Sequence, residues 1–398
     1  MKREKFDLTG SPETQVHSGH LTRVFLVLFI SLLCVLPGTK VQAAAAARVG
    51  STNYSSFEKA FNAVGRRGTI TLLKNTTLKN RLTLTTNKEI TVNLNRHTLS
   101  TKENGEFILS NGTVTFRNGT LKERRVLERG AYNILHINQK ASVVLKNVTC
   151  YGHITNGWYA HAGRNGSLLI DGGTFKPIAD DFLISNYGKL QIDKGTFKNR
   201  SKNDISNLIR NLGTCTINGG TFTSSSTHGG IFASAHTEGG TAKTTIRGGS
   251  FRMTGQFNSD VTHIMSGINV DEGSKMTITG GDFYLTVCLN GGNLNLKGGT
   301  ITSPVTAIYN DGYGYVGKVI MRGGTVKTTG RCSAVVGEYI TMTGGKIIGG
   351  GDVEKQVDLC YYPVIYTSEK NTVSISGNAR IVNKGSGDDV GTVIRNHK

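Results

Sequence analysis

Proline is nearly missing from this chain: five residues in 398, against 52 glycines. That balance suits many tight turns in a regular array better than a conventional globular core. Tryptophan occurs once, and aromatics make up 7%. No C-x-x-C, H-E-x-x-H or G-G-x-G-x-D spacing is present. Zinc, redox and calcium-repeat chemistry therefore have no motif here, and neither a metal nor a cofactor is expected. Acidic residues are also short, 27 against 46 basic, for a formal charge of +19. Beyond Leu36 there is no long apolar run. Hydrophobic content is nonetheless 37%, enough to bury a core and too much for a disordered chain.

The N-terminus carries a polar, basic stretch over residues 1–23, then the apolar run Val24–Leu36, then Pro37, Gly38 and the small residues around Ala43. That order reads as a signal peptide over 1–43, cleaved after Ala43 or within the alanine run that follows. Thirteen apolar-rich residues fall short of the roughly 20 needed to span a bilayer; an uncleaved anchor is the alternative. The remainder is expected to be exported, extracellular or held non-covalently at a cell surface, with no membrane span after cleavage. It would carry 41 basic and 24 acidic residues. A field of that sign concentrates anionic partners such as acidic polysaccharide, envelope polymers, nucleic acid or lipid surfaces; plain solubility is the competing explanation. Five cysteines follow the signal, Cys150, Cys215, Cys288, Cys332 and Cys360. Odd in number and far apart, they are expected to stay as thiols.

What is abundant is one pattern. Thr214–Phe222 alternates apolar and polar residues, turns on Gly219-Gly220, and resumes with Thr221 and a large apolar residue. Copies lie at Leu168–Phe175, Leu190–Phe197, Thr244–Phe251, Met276–Phe283, Leu294–Ile301, Val319–Val326 and Ile340–Ile347. Worn copies precede them at Ile70–Leu78, Val92–Leu99, Val114–Leu121 and Val143–Cys150, and one follows at Val373–Ile381. Spacing changes from 18 residues between Phe283 and Ile301 to 32 between Phe251 and Phe283. Constant strands with variable loops produce that scatter. Second elements end in asparagine, at Asn186, Asn211, Asn290 and Asn310, and could stack as a ladder. Period-two alternation with a repeat of about 25 residues predicts an all-β parallel β-helix solenoid over 67–384. Phe175, Phe197, Phe222, Phe251 and Phe283 would form one internal column. Cys150 and Cys215 take inward slots of the same kind. Residues 44–66 are expected to form an N-terminal cap with a short helix near Ser55–Gly65, and 385–398 a tail.

The serial I-x-G-G-T-F copies, with Leu94–Leu99 matching an L-N-G-H-T-L motif except for Arg96 in place of glycine, resemble exported bacterial repeat proteins. These are of the right-handed parallel β-helix, pectate-lyase-like superfamily. The resemblance implies a right-handed coil, and it leaves function open, because such folds host lyases, hydrolases and non-catalytic adhesins alike. Asp180 and Asp181 resemble a paired-aspartate glycosidase motif, and are weak catalytic candidates. The N-T-D and G-H-G elements that should flank them are missing, so a solvated turn is the plainer reading. The segment Tyr151–Asn165 holds the single tryptophan. Trp158, Tyr159, His161 and Arg164 are the candidate glycan ligands there; Trp158 could equally pack on the coil below. The expected function is a secreted or cell-surface protein that binds glycans or anionic envelope polymers, adhesin-like, with no specific nucleic-acid partner. The alternatives are a polysaccharide lyase or glycoside hydrolase, and a purely structural surface component.

Overall fold

The computed structural model describes residues 44–102, 105–124, 133–138, 140–157, 166–199, 206–226, 229–235, 241–255, 266–310, 317–330, 332–349, 363–368, 372–384 and 394–397. Residues Ala45–Lys398 fall in one compact unit, a parallel β-solenoid. Each coil has three faces. In the coil of the opening pattern, Thr214–Ile217 lies on the first, Thr221–Ser224 on the second and Phe232–Ser234 on the third. The first two faces belong to one 24-stranded sheet, and the third is a separate 13-stranded sheet. In four coils, the strand runs unbroken round the corner from first face to second, as in Ala141–Tyr151 and Ser167–Lys176.

The corner is where the glycine pairs sit. Gly173 has φ 110°, and a β-carbon there would stand 2.0 Å from the carbonyl oxygen of Val148 on the preceding coil. Only glycine satisfies both the positive φ and the close backbone approach. Inside, equal sequence positions stack at equal heights. Phe175, Phe197, Phe222, Phe251 and Phe283 are in register, with ring centroids 4.9, 4.6, 4.5 and 4.7 Å apart and planes within 12° of parallel. Those separations match the strand spacing of about 4.8 Å. The coil translation, rather than ring electrostatics, sets the stack. Ile301, Val326 and Ile347 continue the column.

Cys150 pairs in register with Phe175, and Cys215 with Leu190. Both thiols are buried and free, and burial pushes their pKa values up; Cys288, also free, is pushed up to about 12. Cys360 lies outside the described residues.

At the N-terminal end, helix α1 spans Phe57–Ala63, and the Ser56 side chain accepts a hydrogen bond from the Lys59 amide at 3.2 Å as N-cap. Its Phe57 and Phe61 rings are buried; Phe61 meets Phe107 edge-on at 5.1 Å, and Phe107 meets Phe116 at 5.5 Å. The helix thus plugs the end of the core. The open strand edge is covered by something the sequence pattern did not reveal. A hairpin, Ala47–Val49 with Thr52–Tyr54, lays its first strand antiparallel on Arg67–Leu72. No helix of the described residues is long and apolar enough to cross a membrane.

On the third face, the expected asparagine ladder exists in part. Asn156 donates to Asn186 and Asn186 to Asn211, each at 2.7 Å, and all three are fully buried. Asn310 occupies the same column further on, after Ser234, Val270 and Leu289. Asn290 falls one residue out of it, because Val287 aligns with Ile308. Its amide donates instead to Asp271 at 3.0 Å.

Candidate functional site

Strand register converts the outward positions into columns along the solenoid. On the first face, Lys189, Thr214, Lys243, Lys275, Asn293 and Lys318 share one column, and its four lysines are exposed. On the second face, Thr98, Thr120, Thr149, Thr174, Thr196, Thr221 and Ser250 make a run of hydroxyls, ended by Asp282. Two residues downstream of each hydroxyl lies a basic and aromatic column. Ser100, Lys122, Tyr151 and Lys176 are followed by Lys198, Thr223, Arg252 and Tyr284. The Arg252 guanidinium stands over the Tyr284 ring at 4.7 Å. The corner between these faces adds Arg117, Lys146, Arg247, Lys297 and Arg322, all exposed.

The third face differs. Its outward column runs from Ile108 through Thr155, Ser185 and Ala233 to Val336. Between those ends Arg210 is its one permanent cation, and its guanidinium lies 5.3 Å from the centre of the Phe182 ring; past Val336 the column continues through Tyr366 to a second, Arg395. Among the described strands, most of the positive charge therefore lies on the first two faces.

An open groove of about 610 Å³ is cut into the charged side, lined by Asn93, Asn95, Arg96, Asn118, Gly119, Thr120, Asn147 and Thr149. It lies at the corner of the worn copies, where asparagine or arginine replaces the first glycine of the pair. Asn95, Asn118 and Asn147 have φ of 51°, 57° and 52°, and Arg96 has φ 65°. Asparagine tolerates this region because its short side chain bonds locally. Here Asn95 accepts no strain alone: its amide N–H donates to Asn93 Oδ1 at 3.1 Å, and its Nδ2 to the Leu72 carbonyl at 3.1 Å. The arginine side chain has no such short local bond to offer, and only the Arg96 amide is held, donating to the Asn118 carbonyl at 2.7 Å. An exposed Arg96 held at positive φ beside a groove is an outlier of the kind that collects at binding sites.

At the third face lie two carboxylate–histidine pairs that sequence reading missed, one of them including His136 of the outward column itself. Glu123 accepts from the His153 amide at 2.8 Å and faces its Nδ1 at 3.0 Å, with both side chains at most 5% exposed. Gly152 makes the room, since a β-carbon there would stand 2.6 Å from Glu123 Cβ. Glu106 lies between His136 and Arg81, 3.3 Å from each. The partners are 30 residues apart in sequence, one coil's separation, which no local motif exposes. The carboxylate orients each ring by its Nδ1 side.

Asp180 is exposed and its Oδ1 accepts from the Ser206 amide at 3.1 Å, while Asp181 Oδ1 accepts from Phe182 at 2.7 Å. Both thus cap backbone at a turn. Trp158, Tyr159, His161 and Arg164 lie outside the described residues. The described residues contain no cluster of three or more His, Cys, Asp or Glu side chains placed to hold a metal ion. No family model, curated protein or solved structure matches the chain, so its reading stands on its own residues.

Proposed function

We propose that this protein is a secreted or cell-surface solenoid that binds glycans or anionic envelope polymers through its first and second faces, as an adhesin would. One observation carries this reading: most of the cations stand in register on two adjoining faces, while the outward column of the third face holds only Arg210 and Arg395. A flat, rigid array of cations and hydroxyls offers a long chain many equivalent contacts, and offers a small molecule little enclosure. The signal-like N-terminus and the resemblance to exported β-helix repeat proteins support the extracellular placement. A lyase or hydrolase has less support, because each aspartate of the turn commits an oxygen to a backbone amide.

The test is retention of the secreted form on immobilised heparin and on a poly(glycerol phosphate) resin. Binding is expected at low ionic strength, with elution as added salt shortens the screening length to a few ångströms. Retention that ignores salt, or none at low salt, contradicts the proposal.

Arg96 gives a second check with opposite signs. Leaving the left-handed region is worth about 1–2 kcal/mol, and glycine's looser unfolded chain costs back about 0.5–1. Arg96→Gly should therefore raise stability by up to about 1 kcal/mol while lowering the salt concentration needed for elution. A melting curve and the same column read both. A less stable variant would mean that the arginine side chain supports the corner.

A further inference from the structure

The geometry points to a particular line on this surface: the Lys122, Tyr151, Lys176, Lys198 column is a docking track for a linear phosphodiester polymer lying parallel to the solenoid axis. This rests on the polyanion-binding function proposed above, and adds where the polymer lies, which way it runs and what its charged group is.

Four features mark this column, the first two of them shared with Lys243 and Lys275, which pair in register on the first face and take part in none of the ion pairs among the described residues. First, Lys176 and Lys198 follow the paired residues Phe175 and Phe197, so they are neighbours on adjacent strands about 4.8 Å apart. Like charges at such a position are destabilising unless something compensates them. Second, nothing does so among the described residues. Lys122, Lys176 and Lys198 take part in none of the ion pairs there. The corner cations differ: Lys146 and Lys194 flank Asp171 at 3.9 and 3.1 Å, and Arg247 and Arg322 donate to Asn218 and Asn295. Third, the parallel hydroxyl column reads Thr120, Thr149, Thr174, Thr196 over the same coils, with no acid in either column from Thr98 to Arg252. Every coil therefore presents a hydroxyl donor, and three of four present an ammonium beside it. The fourth offers Tyr151, 37% exposed, whose phenol is a further donor. Fourth, the cations are lysines. A compact ammonium with rotatable donors binds a phosphate oxygen as a point charge from any direction, so successive lysines tolerate the changing orientation of phosphodiesters along a flexible chain.

The polymer must run along the axis, because only in that direction do donors repeat at every strand spacing. Along a strand, an inward residue and then a corner interrupt them.

The experiment measures binding of poly(glycerol phosphate), by fluorescence anisotropy at low salt, to three proteins. These are the secreted form, the variant Lys122→Glu/Lys176→Glu/Lys198→Glu, and the control Lys243→Glu/Lys275→Glu/Lys318→Glu on the first face. Circular dichroism melts check that these substitutions, all at exposed positions except the half-buried Lys176, leave the fold intact. The track variant is expected to lose at least about tenfold in affinity, and the control about threefold or less. Equal losses in the two variants overturn the track and leave diffuse polyanion binding standing. No binding by the unaltered protein at low salt overturns the polyanion reading itself. Binding poly-L-glutamate as tightly as poly(glycerol phosphate) overturns the phosphate assignment. Tighter binding to single-stranded DNA of equal charge would make the surface a nucleic-acid track instead.

Discussion

Phe222→Ala should destabilise the solenoid by about 3–5 kcal/mol, the loss concentrated in the central coils. Phe222 is fully buried, with Phe197 4.6 Å below and Phe251 4.5 Å above. Truncation removes two ring contacts at once, and the hole cannot collapse, because strand pairing on both sides fixes the height of each coil. In a solenoid, stability is a sum of coil and nearest-neighbour terms. Hydrogen exchange should therefore accelerate most in Lys189–Lys198 and Ser250–Met253, and least in the capping hairpin. Thr223→Ala, one residue away on the outward side, should change stability by less than about 0.5 kcal/mol. Denaturant melts of the two variants decide it. A Phe222→Ala cost near that of Thr223→Ala would mean that the ring column fills space without holding the coils together.

That column was legible in advance because a strand shows its two faces in alternate residues. Phe222 and Cys215 read as inward, Thr221 and Thr223 as outward, and register follows once the glycine pairs are aligned. The asparagine ladder was harder. Its strands are three residues long, as in Ile184–Asn186, and give alternation too few positions to fix the phase. Hence Asn290 looked like a member and lies one position away, while Asn156, a true member, was not singled out. The hairpin cap was invisible for a different reason: Ala47–Val49 pairs antiparallel and carries none of the repeat's residues.

The charged side of the molecule was half legible. Composition showed the excess of lysine and arginine, yet could not say that most of it falls on two faces of three. That needs the register linking Lys122 to Tyr151 and Tyr151 to Lys176 across 29 and 25 residues. A usable signal for the groove was present. Asn118 and Asn147 stand where later copies have glycine, and asparagine is the commonest non-glycine residue to accept a left-handed backbone. The repeats that look worn by the consensus are those whose corners carry side chains instead of bare backbone. The Glu123–His153 contact depends on coil length alone and leaves no trace in either residue's neighbourhood.

Asn186→Asp should cost about 3–5 kcal/mol at neutral pH, and much less in acid. Asn186 sits at the centre of the ladder, and each end of its carboxamide has a fixed role. Its Oδ1 accepts from Asn156 at 2.7 Å. Its Nδ2 donates to Asn211 Oδ1 at 2.7 Å, to the Thr214 carbonyl at 3.1 Å and to the Gly188 carbonyl at 3.3 Å. A carboxylate satisfies the first contact and turns the other three into acceptor facing acceptor, with a charge buried besides. Protonation restores one donor on that side. Burial and the facing acceptors both disfavour the charged form, so the folded-state pKa of the new carboxyl must be raised above its unfolded value. A raised folded pKa means that the folded protein holds the proton more tightly. Stability relative to the parent is therefore best below the unfolded pKa and falls as pH rises through the folded one. Denaturant midpoints for parent and variant at pH 4 and pH 7 would show the gap widening toward neutrality. A gap that stays constant, or narrows, would mean that position 186 reaches solvent and that the three amides do not act as a buried chain. The polarity of that chain also has a reason in the register. The position before Asn156 is Ile137, which has no donor to offer. Asn156 Oδ1 is left without a partner among the described residues, so the ladder begins at this coil, and its amides all donate away from it.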